Sequence, residues 1–104
     1  MDYINSTAIT NYGIAWHMQG VSNVEKWGLQ DIESIMLATD EEWGEFVQAY
    51  HEATYEDADG NPLDEQKPLE DCTAEQLARI EDELADTAAL LFQAQAAIER
   101  ARHV

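Results

Sequence analysis

Positive charge is what this sequence most lacks. Only five of its 104 residues are Lys or Arg, against 22 Asp or Glu, for a formal net charge of −17. A protein that holds a nucleic-acid polymer by neutralising phosphates needs a basic surface, and none can be assembled here. Docking on anionic lipid is disfavoured for the same reason. Cysteine is nearly absent too. Cys72 stands alone, so no disulfide forms within the chain, which suits a reducing cytosol. No apolar run approaches the roughly 18 residues that a membrane span requires. The opening Met-Asp-Tyr-Ile-Asn has neither the basic nor the apolar stretch of a secretory signal. A cytoplasmic location without membrane contact is expected. What is present is apolar content of 45%, with 9% aromatics, recurring regularly enough to argue against a disordered acidic tail. Abundant carboxylate with almost no Lys is the habit of halophilic proteins, whose self-repulsion is screened at molar salt over a Debye length of about 3 Å.

The hydrophobic period is helical throughout. A first helix is expected over 6–19, with Ser6 as N-cap, Ile9, Tyr12 and Trp16 on one face, and Gly20 ending it. A connector is expected over 20–29, and a long second helix over 30–54 through Ile35, Trp43, Phe46 and Tyr50. The Asp59-Gly60-Asn61-Pro62 turn and Pro68 make 56–72 an acidic loop. Asp57, Asp59 and Asn61 alternate as in a calcium loop, but Pro62 and Pro68 stand where the turn Gly and the bidentate Glu belong. Thr73-Ala74-Glu75-Gln76 is a capping box that opens a third helix, 73–102, with a stripe through Leu77, Ile80, Leu84, Ala88, Leu91, Gln95 and Ile98. No strand is expected. The fold class is all-α: one domain over 1–104, an antiparallel helical hairpin plus an N-terminal helix. Tyr12, Trp16, Met18, Phe92 and Ile98 exceed what three helices can bury. A partner copy completing a four-helix bundle is therefore expected, as a homodimer or tetramer.

Carboxylates recur at i, i+3 in two places: Glu42 with Glu45, and Glu83 with Asp86. Taking Trp43 and Leu84 as the centres of their stripes, each pair falls about 100° and about 160° from the centre on the same flank. Antiparallel packing preserves that flank, so both pairs emerge on one side of the helix interface. Four converging carboxylates repel unless they are solvated, protonated or bridged by a cation. An oxygen-only donor set suits a hard ion, Mg²⁺ or Mn²⁺. Solvated acidic flanks are the competing explanation.

At these residues the chain resembles the all-α nucleoside triphosphate pyrophosphohydrolases of MazG type. Their signature, Glu-Glu-x-x-Glu and then Glu-x-x-Asp, is matched by Glu41-Glu42-Trp43-Gly44-Glu45 and Glu83-Leu84-Ala85-Asp86. The flanks are similar too: Lys26-Trp27-Gly28-Leu29-Gln30 and Phe46-Val47-Gln48-Ala49 around the first motif, Thr87-Ala88-Ala89-Leu90-Leu91 after the other. The resemblance spans about residues 24–98. Between Glu45 and Glu83 lie 37 residues, more than is usual, and the acidic loop 56–72 has the character of an insertion. The resemblance implies hydrolysis of a nucleoside triphosphate to the monophosphate and pyrophosphate, in clearing surplus or damaged nucleotides. It implies Mg²⁺ (or Mn²⁺) held by Glu42, Glu45, Glu83 and Asp86. Glu41 is a candidate catalytic base that positions water, a hydrogen-bonding support for the metal ligands, or a solvated helix carboxylate. Lys26 and Trp27 are candidates for a phosphate and a base, and Gln30 for a base edge. Each is also explained as surface charge, core cap or first-turn residue. Arg79, Arg100 and Arg102 could reach phosphates across a subunit boundary. Two rival functions remain: a phosphoribosyl-ATP pyrophosphatase, and a non-enzymatic helical interaction module. No Gly-rich phosphate loop is present.

Overall fold

The computed structural model describes residues 5–103. Residues 1–4 and 104 of the expected domain, and with them most of the opening stretch read for a secretory signal, lie outside the described residues. Helix α1 covers Ser6–Trp27, α2 Ile32–Tyr55 and α3 Ala74–Arg102, with a single 3₁₀ turn at Leu69–Asp71. Glu56 and Pro62 form an isolated β-bridge, and no strand occurs among the described residues. The all-α class holds. No described helix is long and apolar enough to cross a membrane.

Helix α1 departs from expectation at both ends. Its N-cap is Asn5 rather than Ser6: the Asn5 Oδ1 accepts the Ala8 N–H at 3.0 Å. It then runs straight through the stretch expected as connector. Gly20 does not end it. Gly20 is buried, and a Cβ there would come within 3.1 Å of both the Ala89 carbonyl oxygen and the Phe92 Cβ. The missing side chain serves close packing against α3, not termination. The terminator is Gly28, at φ +82°, whose N–H donates to the Val24 carbonyl at 2.8 Å. That positive φ strains any residue that carries a side chain.

Asp31 caps α2 from outside rather than sitting in its first turn. Its carboxylate accepts the Ser34 N–H at 2.9 Å and the Ser34 hydroxyl at 3.0 Å. Those bonds hold the Asp31 pKa below its usual value. The capping box of α3 forms as expected. Gln76 N–H donates to Thr73 Oγ1, and Thr73 N–H donates to Gln76 Oε1, each at 3.0 Å. Between these helices the acidic loop is tied down by backbone bonds. Leu63 N–H reaches the Tyr55 carbonyl and Lys67 N–H the Thr54 carbonyl, both at 2.8 Å. The buried Cys72 thiol donates to the Ala53 carbonyl. Asp57 accepts the amides of Asp59 and Asn61 at 2.9 Å each. The carboxylate that opens the calcium-like run is thus engaged in the turn itself.

The chain divides into two compact units. One contains α1, the start of α2 up to Leu37 and α3 from Ala88 onward; the other is 38–87. In the first unit, Gly20, Ile35, Ala88, Ala89 and Ala97 are buried, while Leu91 and Ile98 are exposed. The α3 stripe expected through Leu91 and Ile98 therefore turns aside in this half, because small residues allow closer helix approach than branched ones. In the other unit, Ala49, Ala53, Thr54, Cys72 and Thr87 are buried. Trp43, expected at the centre of the α2 stripe, is 53% exposed, its ring centroid 5.1 Å from that of Phe46. The inner line of α2 runs instead through positions 42, 46, 49 and 53, at helical spacing.

Candidate metal centre

That inner line puts Glu42 where an apolar residue is ordinarily found. Glu42 is half-buried, two turns before the buried Ala49. Glu83 is half-buried in the same way on α3, one turn before the buried Thr87. All four carboxylates are expected on a helix flank, and that expectation is corrected for two of them. Glu42 and Glu83 face inward; Glu45 and Asp86 are the exposed flank residues.

The unit 38–87 is an antiparallel hairpin, and its contacts step in opposite directions along the two arms. Ala53 meets Cys72, Glu52 meets Arg79, and Glu42 and Glu45 meet Glu83. One carboxylate oxygen from each of Glu42, Glu45 and Glu83 lies within 4.8 Å of the other two. Asp86 is near enough for its charge to raise the pKa of both Glu42 and Glu83. Glu41 is exposed on α2 beside Glu42.

Two oxygens of this cluster, Glu42 Oε2 and Glu83 Oε2, are buried with no hydrogen-bond partner. Leaving a buried polar atom without a partner costs about 1–3 kcal/mol, and more for a charged one. The electrostatics carry the same strain. Burial, followed by the charge of Glu45, a hydrogen bond shared with Glu45 and then the charges of Asp86 and Glu83, pushes the Glu42 pKa up from 4.5 to about 7. Glu83 is raised by burial and then by Glu45 and Asp86, with Arg79 pulling it back. The donor set is all oxygen, drawn from two helices, and short of positive charge. Those properties fit a hard dication of the Mg²⁺ or Mn²⁺ type.

The other expected site residues, Arg79 apart, belong to the first unit. Lys26 and Trp27 form the last turn of α1, not a loop. The Lys26 ammonium lies 4.8 Å from the centroid of the Trp27 ring, and Trp27 is 70% exposed. Gln30 is exposed in the short link between α1 and α2. Arg102 and His103 pair with Glu99 at the end of α3. Arg79 belongs with the carboxylates: it pairs with Glu52, and it stands one turn from Glu83 on α3. Glu52 is the residue of this site that sequence reasoning passes over. Its signal is the seven-residue step from Glu45, which returns it to the same side of α2.

No known protein family, curated protein or solved structure matches this chain. The chemistry of the carboxylate cluster is therefore what speaks to function.

Proposed function

We propose that this chain is a Mg²⁺-dependent nucleoside triphosphate pyrophosphohydrolase of MazG type. The observation that supports it most is the pair of buried, unpartnered oxygens on Glu42 and Glu83, beside Glu45, in a protein of net charge −17. Inward carboxylates that each keep one buried oxygen without a partner would weaken a purely structural module, and a cation relieves them. The Glu-Glu-x-x-Glu and Glu-x-x-Asp spacing at the same residues supports the reaction class.

In this reading the residues have distinct tasks. Glu42 and Glu83 anchor the ion from within the hairpin, and the exposed Glu45 and Asp86 close it from the solvent edge. Bound there, Mg²⁺ supplies neutralisation of phosphate oxygens, polarisation of the phosphoryl centre and a lowered pKa for water. Glu41, solvent-facing and adjacent, accepts a proton from the attacking water. Water adds across the α–β anhydride bond, giving the monophosphate and pyrophosphate. The carboxylates repel an uncomplexed triphosphate, so the substrate is taken only as its metal complex.

A second copy of the chain completes the proposed enzyme. In the first unit, Ile9, Tyr12, Ile14 and Met18 on α1 and Leu91 and Ile98 on α3 are each between 45% and 60% exposed. Such apolar surface on helices suits burial against another helical copy.

The test is metal titration followed by turnover. Mg²⁺ or Mn²⁺ should raise the melting temperature of the wild type and leave Glu42→Gln unmoved. Pyrophosphate release should then appear over a panel of nucleoside triphosphates in high salt. An absence of both effects would leave the helical interaction module as the better description.

A further inference from the structure

Of the chain's five basic residues, Arg79 is the one that the hairpin brings to the metal-centre carboxylates. It stands four residues before Glu83 on α3, and seven before Asp86. In a helix those steps place it one turn from Glu83 and two turns, about 10 Å, from Asp86, on the same side as Asp86. On α2 the corresponding side carries Glu45 and, seven residues on, Glu52. Antiparallel packing sends these sides to one edge of the hairpin. Glu45, Asp86 and Arg79 therefore share one solvent edge of the hairpin, with Arg79 about two turns along it from Glu45 and Asp86.

Arg79 is held there by an ion pair with Glu52, with its own side chain exposed. Glu52 does not depend on Arg79 alone. Gln48 Nε2 donates to Glu52 Oε1 at 2.9 Å, and Gln48, ahead of Arg79, keeps the Glu52 pKa low. The guanidinium can leave while Glu52 keeps a donor. Arg79 also lines a cleft of about 140 Å³ with Glu52 and Gln76, on the side of the pair away from Glu42 and Glu83. Glu56 and Asp57 line that cleft as well. They disfavour a free anion, so a phosphate that Arg79 meets must arrive neutralised by a metal ion.

We propose that Arg79 is a phosphate-binding residue of this site, parked on Glu52 in the free protein and transferred to the β- and γ-phosphates of the metal-bound substrate. Glu52 is then a positioning residue that competes with the substrate for the guanidinium. This role rests on the nucleotide–metal reading of the carboxylates. It adds the group that grips the leaving pyrophosphate, whose charge the acidic residues around it would otherwise repel. A planar guanidinium suits two phosphate oxygens at once, which an ammonium does not.

The experiment uses the full chain in high KCl, with Mn²⁺ binding followed by electron paramagnetic resonance and Mg²⁺–pyrophosphate binding by calorimetry. Arg79→Ala should bind Mn²⁺ as the wild type does, yet take Mg²⁺–pyrophosphate roughly tenfold to a hundredfold more weakly. Arg79→Lys should recover only part of that loss. Glu52→Gln, which frees the guanidinium, should bind Mg²⁺–pyrophosphate roughly two- to fivefold more tightly. Normal Mg²⁺–pyrophosphate affinity in Arg79→Ala would overturn the role of Arg79 and leave the metal centre standing. So would a lower melting temperature in both Arg79→Ala and Glu52→Gln with no change in that affinity. A wild type that takes neither Mn²⁺ nor Mg²⁺–pyrophosphate would overturn the nucleotide–metal reading, and the role of Arg79 with it.

Discussion

Glu42 and Glu83 meet across the hairpin of α2 and α3, each with one buried carboxylate oxygen that has no hydrogen-bond partner. Two inward acids at a helix interface are destabilising by desolvation and by mutual repulsion. The next inward positions on α2 are Phe46 and Ala49, so an apolar residue at 42 would continue the line at no such cost. That contrast gives the cluster its functional weight.

Replacing Glu42 by Gln should therefore strengthen the metal-free fold. Gln keeps the shape, removes a buried charge and brings a donor to Glu45 or Glu83. The expected gain is about 1–3 kcal/mol at pH 8, read as a higher midpoint in urea. The same variant should lose the metal-induced stabilisation. A carboxylate that merely solvates the surface would show neither change.

The pH dependence has the same origin. The Glu42 pKa is raised in the folded protein from 4.5 to about 7, mainly by burial. An acid with a raised folded pKa contributes stability that is full below its unfolded value and is lost as the pH rises through the folded value. The metal-free melting temperature should thus decline between about pH 5 and pH 8, with Glu83, shifted the same way, adding to the slope. Asp31, Glu52 and Asp57 are shifted downward. Their contributions are present above the ordinary carboxylate range and fade as the pH falls through their lowered values, so they do not oppose the decline above pH 5. Melting curves in molar KCl separate this effect from general repulsion, which salt screens while leaving the half-buried pair less affected. A flat profile from pH 5 to 8, or a slope that survives in Glu42→Gln undiminished, would contradict it.

Much of this was legible in the residues, and the failures have physical causes. The helical period and the Thr73–Gln76 capping box are local, and both appear as expected. The four carboxylates are legible as a group because i, i+3 spacing keeps each pair on one side of a helix. Their depth is not. Trp43 looks like the centre of a stripe by size and apolarity, yet it lies on the surface, and the inner line passes through its charged neighbour Glu42. A glycine is equally ambiguous: Gly20 reads as the helix stop and Gly28 as a connector residue, whereas Gly20 is a tertiary contact and Gly28 ends the helix. The Glu52–Arg79 pair depends on the register of the two arms, which 18 residues or so of connecting loop leave undetermined by spacing alone.

The two kinds of glycine on α1 give a direct test of that packing. Gly20→Ala places a Cβ within 3.1 Å of the Ala89 carbonyl oxygen and the Phe92 Cβ, and overpacking of this kind costs about 1–3 kcal/mol. At Gly13 no atom beyond the helix's own backbone lies within 4 Å of an added Cβ, so Gly13→Ala should gain about 0.5–1 kcal/mol from helix propensity. Urea midpoints should move in opposite directions for the two variants. A gain at Gly20 as large as that at Gly13 would mean that α1 does not pack on α3 at Gly20.

Glu41 separates an enzyme from a metal-binding module. It is exposed, adjacent to Glu42, and outside the three carboxylates whose oxygens converge. Its proposed task is to take a proton from water, a contribution of about 10²–10⁴-fold where a positioned base acts. Glu41→Gln keeps the helix and removes the base. It should leave the rise in melting temperature with Mg²⁺ intact and the KM for the Mg²⁺–nucleotide within about twofold, while kcat falls by about two to four orders of magnitude. Loss of metal-induced stabilisation together with kcat would instead make Glu41 part of the ion's cradle. An unchanged kcat would return it to the status of a solvated helix carboxylate and require another base within reach of the attacking water.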